Sequence, residues 1–317
     1  MPSATGAAVP PRDTALAGAP ELAVRRRERP GAPGAPIVLV HGLGGTLEEW
    51  EPLAALLAAR HPVYSLDLRG HGRSGDADPT LAGCAADVAR VVDHFGLRRP
   101  VVVGHELGGV VALVCAARRA DVAAVVNLGG FGRPDPAVVA EHLGMAPDQA
   151  AVHAAAVHRF TVEQTAELFA PMPAATFERA LDACRGDPLG LPGAVLAATA
   201  RRAAATADQL VFPRPGTRAV RALFAELAER DPLDLAERVA APVLTLAAAD
   251  PPPPMPGAPA RFADIVAAHT AHALARSRPG SRVGAVAGTR VPHLGRPEAV
   301  AELIEEFLAG AEPPRRR

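Results

Sequence analysis

The stretch Val101-Val102-Val103-Gly104-His105-Glu106-Leu107-Gly108-Gly109 decides the fold. Three β-branched residues predict a strand buried on both faces, and the Ala- and Leu-rich run at 107–119 has helical spacing. Between them, glycines flank a central polar residue. They permit a turn tight enough to feed strand directly into helix while lifting the middle side chain clear of both. Working outward, further short apolar runs at 37–40, 63–66, 122–128, 243–246 and 282–287 are bounded by Gly, Pro or polar residues. Helical patterns at 81–95 and 297–309 fall among and after them. Repeated alternation of this kind predicts an α/β architecture, a mostly parallel open sheet with flanking helices. The looser pattern at 21–29 predicts an antiparallel edge strand ahead of the parallel set.

One stretch interrupts the alternation. Residues 133–240 carry helical patterns at 136–143, 150–160, 162–169, 174–183 and 218–229, with no convincing strand. A connection of that length is an inserted unit, predicted here as a helical cap over the strand ends, where open α/β sheets place their ligands. The chain therefore divides into a disordered tail at 1–20, a core at 21–132 and 241–309, a cap at 133–240, and a second tail at 310–317 ending in Glu-Pro-Pro-Arg-Arg-Arg.

Composition narrows the function classes. The 317 residues are 49% hydrophobic and 21% charged, contain no lysine, and carry a net charge of -1. Bulk attraction to nucleic acid or to an anionic membrane is excluded on that balance. Three cysteines without a Cys-x-x-Cys pair argue against a disulfide framework and a zinc site. No basic-then-apolar leader and no run of about 18 apolar residues occurs, so a soluble cytoplasmic protein is expected. No metal-ligand spacing and no nucleotide fingerprint is present, so neither metal nor cofactor is implied. The expected partner is a small-molecule substrate.

Four motifs follow strands in a fixed order: His41-Gly42-Leu43-Gly44-Gly45 after 37–40, Asp67-Leu68-Arg69-Gly70-His71-Gly72-Arg73-Ser74 after 63–66, Gly104 to Gly109 after 101–103, and Val291-Pro292-His293 after the last strand. In this order they resemble the α/β-hydrolase superfamily, from about residue 21 to residue 309. The resemblance implies a nucleophile elbow with Glu106 at the nucleophile position. It further implies oxyanion-binding N–H groups at Leu43 and Leu107, a general-base histidine at His293, and a triad acid at Asp250, with Asp135 as the substitute acid. His41 and His105 are expected to shape turns. His142, His153, His158, His269 and His272 are expected on the surface or in cap packing, and Trp50 beneath the cap.

Glutamate departs from the Ser, Cys or Asp usual at this elbow. A carboxylate is already anionic at neutral pH and attacks carbon without prior deprotonation. The expectation is a hydrolase of a small to medium apolar molecule, in which Glu106 forms an ester and His293, oriented by Asp250, activates water to split it. A lyase or cyclase using Glu106 as general base, and a non-catalytic ligand-binding homologue, are the alternatives. The epoxide-hydrolase branch uses paired cap tyrosines, whereas Tyr64 is the single tyrosine here and lies outside the cap. The dehalogenase branch places Trp where Leu107 stands. Arginines such as Arg159, Arg201 and Arg202 suggest one anionic group on an otherwise apolar ligand.

Overall fold

The computed structural model describes residues 10–184, 190–251, 254–276, 281–288 and 290–311. The first part of the chain supplies strands β1 (Arg12–Leu16), β2 (Leu22–Arg27), β3 (Ile37–Val40), β4 (Val63–Leu66), β5 (Val101–His105) and β6 (Ala124–Leu128). Helices α1 (Glu51–Leu57), α2 (Leu81–His94) and α3 (Leu107–Arg118) connect the later ones. The inserted segment contains α4 (Pro136–Leu143), α5 (Pro147–Leu168), β7 (Met172–Pro173), α6 (Ala174–Ala183), α7 (Gly193–Arg202), β8 (Ala204–Ala207), β9 (Leu210–Pro213), α8 (Thr217–Ala228) and α9 (Pro232–Arg238). The chain closes with β10 (Val243–Ala248), α10 (Phe262–Ala275), β11 (Arg282–Val286), the short α11 (Pro292–Gly295) and α12 (Pro297–Ala311).

Eight strands form one sheet in the order β1-β2-β4-β3-β5-β6-β10-β11. Only the β1–β2 and β2–β4 pairs are antiparallel. Alternation along the central strands divides the core. Val38, Val40 and Val102 face α2 and α3, while Ile37, Leu39, Val101 and Val103 face Trp50, Leu53 and the α12 residues Val300, Ile304 and Phe307. This two-sided burial is why these strands read as continuous apolar runs. In α2, Leu81, Cys84, Ala85, Val88, Val91 and Val92 form the buried stripe, and Thr80 caps its N-terminus by accepting from Gly83 N–H. In α3 every residue from Leu107 to Ala116 is buried, as expected of a helix enclosed on all sides.

Three expectations are corrected. Residues 12–16, assigned to a tail, form the edge strand β1. Asp13 sits opposite Arg25 in register and accepts from its guanidinium at 2.6 Å, a cross-strand ion pair that composition does not reveal. In consequence β2 lies inside the sheet and not at its edge. The inserted segment also contains strands, a three-stranded antiparallel sheet in the order β7-β9-β8. Its hairpin turns through Asp208 and Gln209, both at positive φ (47° and 62°), and strands of two to four residues are too short to leave a periodic signal. Finally, α10, assigned to the core, buries Phe262 and Ile265 against Val139, Ala150, Ala154 and Val157 of the insertion. Residues 1–9 and 312–317 of the two expected tails lie outside the described residues.

Candidate active site

Glu106 takes φ 45° and ψ -110° at the β5–α3 junction. Positive φ in a residue with a Cβ stores about 1–3 kcal/mol of strain, and the surrounding glycines show what enforces it. A Cβ on Gly104 would lie 2.0 Å from Gly108 O, and one on Gly108 would lie 2.0 Å from Val40 O. The helix start is thus pressed against both β5 and the end of β3. Glu106 N–H donates to Leu128 O at 2.9 Å, tying the turn to β6.

The Glu106 side chain is one-third exposed, and its Oε1 accepts from Arg290 Nη2 at 2.9 Å. Burial pushes this carboxyl up, but the Arg290 guanidinium, joined by His105 and His293, holds the group below its ordinary value. The anion lies at the floor of a cavity of about 710 Å³ that extends between the elbow, the insertion and α10. Leu43 and Leu107 also line it, together with apolar side chains such as Val157, Phe224, Leu227 and Phe262. Among the described residues neither the Leu43 nor the Leu107 N–H donates a protein hydrogen bond, which leaves both available to an oxygen of a ligand.

The remaining predicted residues are not joined to Glu106 by hydrogen bonds. Asp250 lines the cavity, and its Oδ2 accepts from Gly288 N–H at 3.0 Å. His293 is fully buried, and neither ring nitrogen has a hydrogen-bond partner. Its ring packs against Trp50 and His105 at centroid distances of 4.3 and 4.5 Å, and burial pushes its pKa down to about 3. The carboxylate nearest its Nε2 is Glu49 Oε1, at 3.5 Å. Asp135 caps α4, accepting from Ala137 N–H at 2.7 Å. The described structure therefore contains no hydrogen bond joining Glu106, His293 and Asp250.

Glu49 was not legible as a site residue. It lies in Leu47-Glu48-Glu49-Trp50, outside the four motifs, and its side chain is 9% exposed. Burial raises its carboxyl to about 7. The His105 side chain bonds away from the turn, its Nε2 donating to Arg290 O at 3.0 Å, and its Nδ1 faces Glu49 Oε1 at 3.8 Å. Of the outlying histidines, His158 and His269 line the cavity. The arginines singled out as anion receptors are engaged elsewhere or stand apart: Arg202 with Asp67 at 2.7 Å, Arg201 near Glu178 at 3.7 Å, and Arg159 exposed. Arg133 and Arg290 are the arginines lining the cavity.

The second and first motifs interlock behind the site. His41 Nδ1 donates to Gly42 O at 2.7 Å and its Nε2 accepts from Leu68 N–H at 3.0 Å, an arrangement that requires the neutral ring. His71 packs on it at 4.9 Å between centroids. Burial depresses His41 to about 4 and His71 to about 3. Both are uncharged in folded and unfolded chains above pH 6.5. Below it the unfolded chain takes up protons that the folded chain refuses, so stability is lost as pH falls from about 6.5 toward 3, by up to about 3 kcal/mol for His41. Glu49 acts oppositely between about pH 4.5 and 7, because the folded chain takes up its proton first. Melting temperatures measured across pH 4 to 7 are expected to fall less steeply on acidification for His71→Gln than for the unaltered chain; parallel curves would refute a neutral buried His71.

Comparison with known proteins bears on the family and the fold. The family described as "Alpha/beta hydrolase family" matches residues 37–303. A Caulobacter vibrioides protein named "Putative carbamate hydrolase RutD" is 41% identical over 104 residues, 32% of this chain and 39% of that protein. The dihydrolipoyllysine-residue acetyltransferase component of the acetoin cleaving system of Cupriavidus necator is 40% identical over 112 residues, 34% of this chain and 30% of that protein. The chain thus spans less than half the length of these curated relatives. Among solved structures, E-2-(acetamidomethylene)succinate hydrolase superposes with a TM-score of 0.67 at 18% identity, over 95% of this chain and 99% of that one. The enol-lactonase of Burkholderia xenovorans LB400 gives 0.57 at 22%, over 94% and 100%. At those identities the superpositions establish the fold.

Proposed function

Because this chain belongs to the α/β-hydrolase family, we propose that it hydrolyses a small to medium, largely apolar molecule, with Glu106 as the carboxylate that meets the substrate's electrophilic carbon. The observation that carries this reading is the ionised Glu106, held in a strained turn at the floor of an apolar cavity beside two unpaired N–H groups. In the first half-reaction a Glu106 oxygen bonds to carbon and the leaving group departs with its electron pair. Leu43 and Leu107 N–H stabilise negative charge on oxygen. Water then adds at the Glu106 carbonyl carbon, releases the product alcohol or acid, and leaves one solvent oxygen in the side chain. Asp250 lines the same cavity, which supports it as the acceptor of a proton from that water. Water activation by the His293–Asp250 pair is the part the arrangement supports least, since it requires the sealed imidazole to turn outward.

Single turnover in heavy-oxygen water tests the assignment. The panel is alkyl and aryl esters, lactones, epoxides and halides, and the readout is mass spectrometry of the peptide holding residues 104–109. Label on Glu106 is expected. The sealed His293 favours one alternative, in which Glu106 works without histidine as the general base of a lyase or cyclase. That reading predicts turnover with an unlabelled peptide. A ligand-binding homologue predicts no turnover, with thermal stabilisation by ligand that survives Glu106→Gln.

A further inference from the structure

Immediately behind the elbow, three lone-pair donors converge from three distant parts of the chain. Glu49 Oε1, His105 Nδ1 and His293 Nε2 all lie within 4.8 Å of one another, with Glu49 Oε1 at 3.8 Å from the first nitrogen and 3.5 Å from the second. The three side chains are 9%, 6% and 0% exposed. Neither nitrogen has a hydrogen-bond partner. Because the Arg290 carbonyl can only accept, His105 carries its proton on Nε2 and presents a bare lone pair at Nδ1. Glu49 accepts a single long hydrogen bond, from Gly42 N–H at 3.4 Å, and among the described residues no arginine pairs with it.

A pocket of this kind is costly as it stands, since it buries three polar side chains whose ring nitrogens facing Glu49 have no hydrogen-bond partner and whose carboxyl has no cationic partner among the described residues. We propose that Glu49, His105 and His293 bind one divalent cation of the zinc class. Two imidazoles and one carboxylate make a donor set suited to zinc and its transition-metal neighbours, whereas calcium and magnesium call for oxygen ligands. With ligand bonds of about 2.0–2.2 Å, donors around a tetrahedral ion stand roughly 3.4 Å apart. The Glu49 distances are already near that, and ring movements of about an ångström close the rest. The hydrogen bond from His105 Nε2 to a carbonyl is the support that metal-bound histidines ordinarily have. An ion of charge +2 here supplies the counter-charge that Glu49 lacks, Glu106 being paired with Arg290. The three ligands are 56 and 188 positions apart along the chain, so sequence spacing carries no trace of them. The inference does not rest on Glu106 chemistry, and its test needs no turnover.

The full chain, stripped with a chelator, is titrated with Co2+ and followed by visible absorption, and Zn2+ is then added in competition. One Co2+ per chain with the bands of a four-coordinate site, displaced by one Zn2+, is the expected result. Glu49→Gln and His105→Gln, each checked for native circular dichroism, are expected to weaken binding at least about a hundredfold. Failure of both ions to bind the unaltered chain at micromolar concentration would overturn the proposal. So would binding unchanged in both variants, which would place the ion on surface histidines or Cys184. Should either variant misfold, anomalous scattering at the zinc edge from crystals of the unaltered protein decides: a peak among the three side chains supports the site, and peaks only elsewhere refute it.

Discussion

Asp67→Ala is expected to lower the free energy of unfolding by about 3–5 kcal/mol. The Asp67 carboxylate is fully buried and accepts from Leu47 N–H at 2.9 Å, Arg73 N–H at 2.8 Å and Arg202 Nε at 2.7 Å. It thereby joins the loop after β3, the loop after β4 and helix α7 of the insertion. Truncation strands the Arg202 guanidinium, whose side chain is 4% exposed, with only the more distant Glu48 at 3.5 Å and Asp13 at 3.8 Å. A buried cation left without its partner is far costlier than loss of the pair as a whole. Asp67→Asn/Arg202→Met should therefore recover part of the loss. Urea unfolding with unchanged m-value measures both, and a loss below about 1 kcal/mol for Asp67→Ala would show that the tie contributes little. Arg214 reinforces the same junction by donating to Gly72 O and Ser74 O at 2.6 and 2.7 Å. The glycine-rich second motif thus anchors the insertion.

Glu106→Gln is expected to lower kcat/KM by about a thousandfold or more, within the range that removal of a positioned proton-transfer or nucleophilic group produces, while leaving the fold intact. The amide preserves shape and lacks the charge. Arg290→Met makes the complementary test. Arg290 holds the Glu106 carboxyl below its ordinary value, so removing it raises that pKa, and activity that needs the ionised form should fail at a higher pH as the solution is acidified. The pH profile of kcat/KM reports the shift. An unmoved acid limb would mean that the ionisation limiting activity belongs to another group, and full activity in Glu106→Gln would remove Glu106 from the chemistry.

How far the sequence reaches is visible in individual elements. The strands at 37–40 and 63–66 have the bounds predicted from their β-branched runs, and β5, α3 and the turn between them follow from the glycine spacing around Glu106. All of these depend on residues adjacent in the chain, where periodicity and steric permission at φ > 0 act locally. Strand β1 escaped because its stabilising partner, Arg25, lies twelve positions away, and the small sheet of the insertion escaped because its strands are too short to show a period.

What the sequence by itself determined is the α/β order of elements and the presence of a carboxylate at the elbow. Both are encoded in short windows. Only the tertiary structure decided which charges meet. It placed Arg290 on Glu106, engaged Asp250 with Gly288, and sealed His293 against Trp50 and Glu49 in place of a hydrogen-bonded relay. The physical reason is that ion pairing and desolvation act through space over a few ångströms, while the residues concerned stand from 38 to 244 positions apart along the chain.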